Sequence, residues 1–237
     1  MIKAVLFDID NTLYGYDAAH AMAWEALCAY VQEHLHMDRE TFTRRHREAM
    51  DIVKERLGVD CAALHDRCLR YQILLEKHGL PLHHALTMSE LYWDTLIRSA
   101  EPTPGIMECL PILKKAGYIL GIGTDMTLEY QLKKLTRLQM LPYFDFLVTS
   151  EEVNGEKPDR KLFLTCAQKA GVAPEECLFI GDSLKKDVLG AKNAGMEALW
   201  FAPPPEQAAM HPETETIYHY DHLTKKLKCL DFSRKTC

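Results

Sequence analysis

Five short apolar runs limit what this chain can fold into: Ala4–Phe7, Ile119–Ile122, Phe146–Val148, Cys177–Ile180 and Ala198–Phe201. Each is too short for a helix and lacks polar alternation, so each reads as a strand covered on both faces. Segments of helical spacing separate the later runs. Ile106–Ala116 stops at Gly117, and Thr127–Met140 keeps a helical period. Pro158–Ala170 has proline in its first turn and stops at Gly171, while Leu184–Ala194 stops at Gly195. Strands alternating with helices predict an α/β fold built on a doubly wound parallel sheet.

The first strand breaks this rhythm. Residues 14–97 carry almost no strand signal. Ala23, Leu27, Tyr30, Val31 and Leu35 follow helical spacing behind Asp17, a plausible N-cap. Thr41–Leu57, Cys61–His78 and Leu86–Ser99 also read as helices. The expected organisation is a core of 1–13 and 98–237 interrupted by an all-helical subdomain, 14–97, with Pro102, Pro104 and Gly105 in the return linker. After a loop at Pro203–Pro205, the tail predicts a short strand near Ile217–Tyr220 and a helix capped by Asp221.

Composition excludes several function classes. A net charge of -6 and a pI near 6.0 disfavour nonspecific nucleic-acid or anionic-membrane binding. No apolar stretch approaches a membrane span, and MIKAVLFDID does not read as a signal peptide. The eight cysteines form no CxxC pair, so they read as reduced thiols of a cytoplasmic protein. The expected partner is a small molecule, with no nucleic acid and no membrane, and the chain is expected as a monomer or homodimer.

In open parallel sheets, ligands bind beyond the carboxyl ends of the strands. Asp8, Asp10 and Thr12 follow the first run, Thr124 and Asp125 the second, Lys157 the third, and Asp182 and Asp187 the fourth. Crowded carboxylates repel, and a divalent cation relieves that conflict. Asp8 and Asp182 are the natural side-chain ligands for Mg²⁺. A carboxylate such as Asp8 can attack phosphorus, while Lys157 offsets charge on the transferring group. The Thr124 hydroxyl can donate to a phosphate oxygen. Asp10, two residues beyond Asp8, is placed to protonate the leaving alcohol and then activate water.

The motifs FDIDNT, Thr124 after a strand, EKPD around Lys157 and GDSLKKD around Asp182 resemble the haloacid dehalogenase superfamily of phosphatases. The resemblance implies a Rossmann-like core with an inserted helical cap of the C1 type. It implies Asp8 as nucleophile and Mg²⁺ ligand, and Asp10 as acid/base that also offers its main-chain carbonyl to the metal. Asp182 would be the third protein ligand, and Asp187 would hold Lys157 or a metal-bound water, with Thr12 supporting. True dehalogenases of the superfamily lack the second aspartate kept here as Asp10, which favours phosphoryl transfer. The implied substrate is a small phosphate monoester: a sugar phosphate, a nucleotide or a related metabolite. A phosphomutase using the same residues and a noncatalytic ligand-binding protein are the alternatives.

Asp125 departs from the resemblance, since relatives often place a neutral residue beside the phosphate. It reads first as a cap of the following helix, or else as a contact to substrate. Elsewhere the blander readings stand. Arg44, Arg45, His46 and Arg47 read as a solvated helix face, and His83 and His84 as a surface turn. Trp24, Tyr71 and Trp93 read as core of the helical segment. Tyr14 and Tyr16 read either as lining a substrate entrance or as packing at the join.

Overall fold

The computed structural model describes residues 1–227. They divide into two compact units, Met1–Gly15 with residues 101–227, and Tyr16–Ala100. In chain order, strand β1 (Ala4–Phe7) precedes the helices of the second unit: α1 (Tyr16–Leu35), α2 (Arg39–Leu57), α3 (Arg67–Lys77) and α4 (His84–Ser99). The first unit resumes with α5 (Ile106–Lys115), β2 (Ile119–Thr124), α6 (Leu128–Arg137), β3 (Phe146–Thr149), α7 (Ser150–Val153) and α8 (Arg160–Ala170). It continues with β4 (Cys177–Gly181), α9 (Gly190–Asn193), β5 (Glu197–Phe201), α10 (Pro205–Met210) and β6 (Thr216–Ile217).

The strands form one parallel sheet in the order β3-β2-β1-β4-β5-β6. The chain builds outward from β1 through β2 and β3, then returns to the other flank for β4, β5 and β6. β1 is therefore the topological switch point, where α/β sheets open a crevice for ligands. In register, Phe7 faces Ile122 on one side and Ile180 on the other. The residues that follow these three strands consequently meet at one edge.

All four residues of β1 are fully buried, as a central strand covered on both faces requires. On one face α8 lays Leu162, Phe163, Cys166 and Ala167 into a core shared with Phe179 and Trp200. Phe163 meets Phe179 edge to face, with ring centroids 5.0 Å apart. At Gly121 a Cβ would collide with the Phe146 ring, so glycine is what lets the neighbouring strand's aromatic ring lie flat on the sheet.

Several elements differ from the sequence expectation. The helix expected over Leu184–Ala194 is present, but it opens as a wide π-helical stretch, Leu184–Leu189, that runs directly into the short α9. The Val188 amide donates to Ser183 O, an i→i+5 bond, and such π-turns are frequent at functional sites. Pro158 lies outside α8, which starts at Arg160 behind an Asp159 cap. The tail strand is only Thr216–Ile217. Tyr220–His222 forms a 3-10 turn with His219 before it, so Asp221 sits inside the turn rather than capping it. A helix then covers 223–227, and its expected continuation lies outside the described residues.

In the helical unit, α1 packs on α4, α4 on α3 and α3 on α2. Asp17 falls within the first turn of α1 and is not its N-cap, though its charge there suits the helix dipole. The single helix expected over Cys61–His78 is two pieces. The Asp66 carboxylate accepts from the Leu69 amide at 3.1 Å, capping α3 and ending the 3-10 turn Ala62–His65.

Phe163→Ala should cost about 3–5 kcal/mol, the usual range for emptying a buried phenylalanine site. Urea unfolding checks this, and a loss below about 1 kcal/mol would mean that α8 is not seated on the sheet as described.

Candidate active site

β1 ends at Phe7, and Asp8 is the first residue beyond the sheet. Its amide donates to Ile180 O at 2.9 Å, tying it to β4. Its carboxylate is 2.7 Å from Lys157 Nζ. Lys157 lies in the loop between α7 and α8, and its ammonium also donates to Asp187 Oδ1 at 2.6 Å. All three side chains are buried. Burial alone would lower the Lys157 pKa, but the Asp187, Asp8 and Asp125 carboxylates hold it well above the usual range.

Asp187 reaches this position through the wide turn after β4. The Ser183 amide donates to its Oδ2 at 2.9 Å. A Cβ on Gly181 would sit on the Asp187 carboxyl, so the strand end must be glycine for the carboxylate to lie across it. Asp182 is partly exposed, and the Trp200 indole holds its main chain by donating to Asp182 O at 2.8 Å.

Carboxylate oxygens of Asp8, Asp182 and Asp187 lie within 4.8 Å of one another. Burial pushes Asp8 up to about 7; Lys157 opposes this, while Asp187 and Asp10 add to it. Burial and Asp187 likewise push Asp182 up to about 6. Crowded carboxylate oxygens, with Asp8 and Asp182 raised in this way, suit a hard divalent cation such as Mg²⁺. The metal set expected from sequence was Asp8 and Asp182 with the main-chain carbonyl of Asp10; among side chains the cluster also includes Asp187.

Asp10 turns the other way. Its Oδ1 accepts from Lys134 Nζ at 2.6 Å and from the Tyr14 hydroxyl at 2.5 Å. Burial would raise its pKa, but Lys134, Tyr14 and Gln131 lower it below the usual carboxylate value. Thr124 ends β2, with its hydroxyl accepting from Gln131 Nε2 at 2.8 Å. Thr12 acts through its main chain, whose carbonyl accepts from Thr103 Oγ1 at 2.8 Å and Tyr220 OH at 3.2 Å.

Asp125 does not cap α6. The residue before that helix is Thr127, and the Leu128 amide donates instead to Glu151 Oε2 at 2.8 Å. Asp125 Oδ1 accepts from the Lys157 amide at 2.8 Å and Oδ2 from Lys186 Nζ at 2.8 Å. Two donors thus hold this carboxylate, one of them cationic. Its effect is to pin the backbone of Lys157.

A family model for haloacid dehalogenase-like hydrolases matches residues 2–195. The chain belongs to the haloacid dehalogenase-like hydrolases. It is 34% identical over 212 residues to ribulose-1,5-bisphosphate 5-phosphatase from Halopiger xanaduensis, covering 88% of each chain. It is 35% identical over 199 residues to glyceraldehyde 3-phosphate phosphatase from Methanopyrus kandleri, covering 83% of this chain and 82% of that one. Among solved structures it is similar to an HAD phosphatase from Thermococcus onnurineus, with a TM-score of 0.71, 28% identity and coverage of 95% and 98%. The phosphatase type read from sequence agrees with the names of these relatives.

Asp8, Lys157, Asp182 and Asp187 of this hydrolase come together, and Thr124 and Asp10 meet through Gln131. Sequence reasoning missed Gln131, Lys134 and Lys186. Lys134 is fully buried on a helix whose lysines look solvated. The signal was the face of Gln131, Lys134, Leu135 and Leu138, one stripe at helical spacing that puts two polar residues inside.

The helical unit also departs from its bland reading at His46. This residue is not solvated; it sits against Trp24 and Phe42, and burial with the nearby Arg70 and Arg67 holds its pKa down at about 3. Tyr71 and Trp93 are core, as expected. A cavity of about 340 Å³ in this unit is lined by His20, Trp24, His46, Arg47 and Lys54 among others.

Gly181→Ala should force Asp187 off the strand end and loosen Lys157. We expect at least a tenfold fall in turnover with a measurable drop in melting temperature. Unchanged kinetics would show that the Asp187–Lys157 contact is dispensable.

Proposed function

We propose that this hydrolase is a Mg²⁺-dependent phosphatase that splits a small phosphate monoester through a phospho-aspartate on Asp8. The observation that carries the reading is the Lys157 ammonium held between Asp8 and Asp187, beside the Asp8–Asp182–Asp187 oxygen cluster. Sugar phosphates are the favoured substrates, because relatives more than 30% identical carry sugar-phosphate phosphatase names. The unpaired thiols of the described cysteines suit a cytoplasmic setting.

In this reading Asp8 attacks phosphorus and the ester P–O bond breaks. Asp10 gives a proton to the departing alcohol. Asp10 then takes a proton from water as that water attacks the phosphoryl group, returning Asp8 and inorganic phosphate. Lys157 and the Thr124 hydroxyl stabilise the phosphoryl oxygens. Asp10 is anionic in the resting protein, and a phosphate dianion beside it pushes it toward the protonated form that the first step needs. Asp8 and Asp182, with the Asp10 main-chain carbonyl, would hold Mg²⁺, which when bound adds positive charge at the transferring phosphoryl group.

Asp8→Asn should abolish phosphate release from a panel of sugar phosphates, nucleotides and p-nitrophenyl phosphate while circular dichroism stays native. Turnover within tenfold of wild type would refute the nucleophile assignment.

The metal leaves a second signature. Asp8 at about 7 and Asp182 at about 6 stand above their ordinary 3.8. The folded chain therefore keeps protons that the unfolded chain has released, and these two groups contribute less stability as pH rises through that window. A cation replaces those protons best where they are already lost. Adding Mg²⁺ should raise the melting temperature more at pH 8 than at pH 5.5. An equal shift at both values would rule out the carboxylate site.

A further inference from the structure

α6 brings two buried polar side chains to the site, and nothing in the two half-reactions above uses them. Lys134 and Gln131 are both fully buried. A buried lysine is costly unless its charge is met, and one carboxylate oxygen meets it here. Lys134 Nζ lies 2.6 Å from Asp10 Oδ1, with Met126 Sδ at 3.6 Å and the Tyr14 ring centroid at 5.6 Å. The Tyr14 hydroxyl donates to the same Oδ1 at 2.5 Å. Asp10 Oδ2 has a weaker contact, Gln131 Nε2 at 3.4 Å. That amide has two hydrogens and nearer acceptors in Thr124 Oγ1 at 2.8 Å and Asp125 O at 2.9 Å. The two oxygens of Asp10 are thus unequal: Oδ1 is saturated and Oδ2 is nearly free.

We propose that Lys134 is a positioning residue for this phosphatase. Together with Tyr14 it anchors Oδ1 of Asp10 and assigns proton exchange to Oδ2. The inference rests on the phosphatase reading and deepens it. The proton leaves Oδ2 for the departing oxygen as the P–O bond breaks, and a proton from the attacking water returns to Oδ2 in the second half-reaction. Gln131 completes the arrangement. By donating to Thr124 Oγ1 it fixes that oxygen from α6, while the threonine hydrogen goes to Asp125 O at 3.2 Å and turns from it to meet a phosphate, so one helix sets both the threonine hydroxyl and the acid/base group.

The test separates positioning from general stabilisation by the need for a proton. A dinitrophenolate leaves without protonation, whereas an alkoxide does not. Phosphoenzyme formation is measured by rapid quench for wild type and Lys134→Met, with 2,4-dinitrophenyl phosphate and the fastest alkyl phosphate of the substrate panel. We expect the dinitrophenyl ester to react within about twofold of wild type and the alkyl ester at least about tenfold more slowly, a partial loss of the usual general-acid contribution of ~10²–10⁴. Tyr14→Phe removes only a hydroxyl from the same oxygen and should show the same selectivity at smaller size, on a variant with little risk of misfolding. Equal losses on both esters in both variants, or no loss on either, would overturn the proposal. An active wild type with unselective variants sinks this inference alone; an inactive wild type sinks the phosphatase reading and this one with it.

Discussion

The site depends on one buried cation. Lys157 carries its ammonium between Asp8 and Asp187, and no water is needed to account for its charge. Removing either carboxylate would leave a buried charge partly unmet, which costs far more than the pair itself contributes. Features around it follow from this demand. Gly181 lacks a side chain so that Asp187 can cross the strand end. The turn after β4 widens to bring Asp187 back, and Asp125 is spent on the Lys157 amide.

Much of this was legible in the sequence, for a simple reason. A strand buried on both faces is a continuous apolar run, and polar residues just beyond it have only the sheet edge to occupy. That logic located Asp8, Thr124 and Asp182. It located Asp187 less well, because the Lys185, Lys186 and Asp187 run resembles any charged helix face, and the wide turn that buries the aspartate has no local signature. Asp125 was misread for a related reason. Capping is the commonest use of an aspartate before a helix, and its real partners, the Lys157 amide and Lys186, are distant in sequence.

Lys134 marks where periodicity offers two faces and the more apolar reading is the wrong one. Leu128 and Leu132 suggest one apolar face for α6, yet Leu128 is largely exposed, and the buried face carries Gln131 and Lys134. A polar residue inside a helix face is unfavourable for the fold alone, so such places are where local rules are expected to yield to chemistry. The helical unit shows the same at His46, whose imidazole sits neutral among rings and near two arginines although its sequence neighbours are basic.

The position of β1 in the sheet also bears on how the chain is made. Its partners are Ile119–Thr124 and Cys177–Gly181, so this strand is synthesised before either of them and is fully paired only when the later one emerges. Translation adds roughly 5–20 residues per second, and the intervening helices need only their own neighbours to assemble. The strand that leads to Asp8 therefore emerges well before its partners, apolar and with open edges. Its four-residue length limits that exposure, since so short an edge offers little template for pairing with another chain.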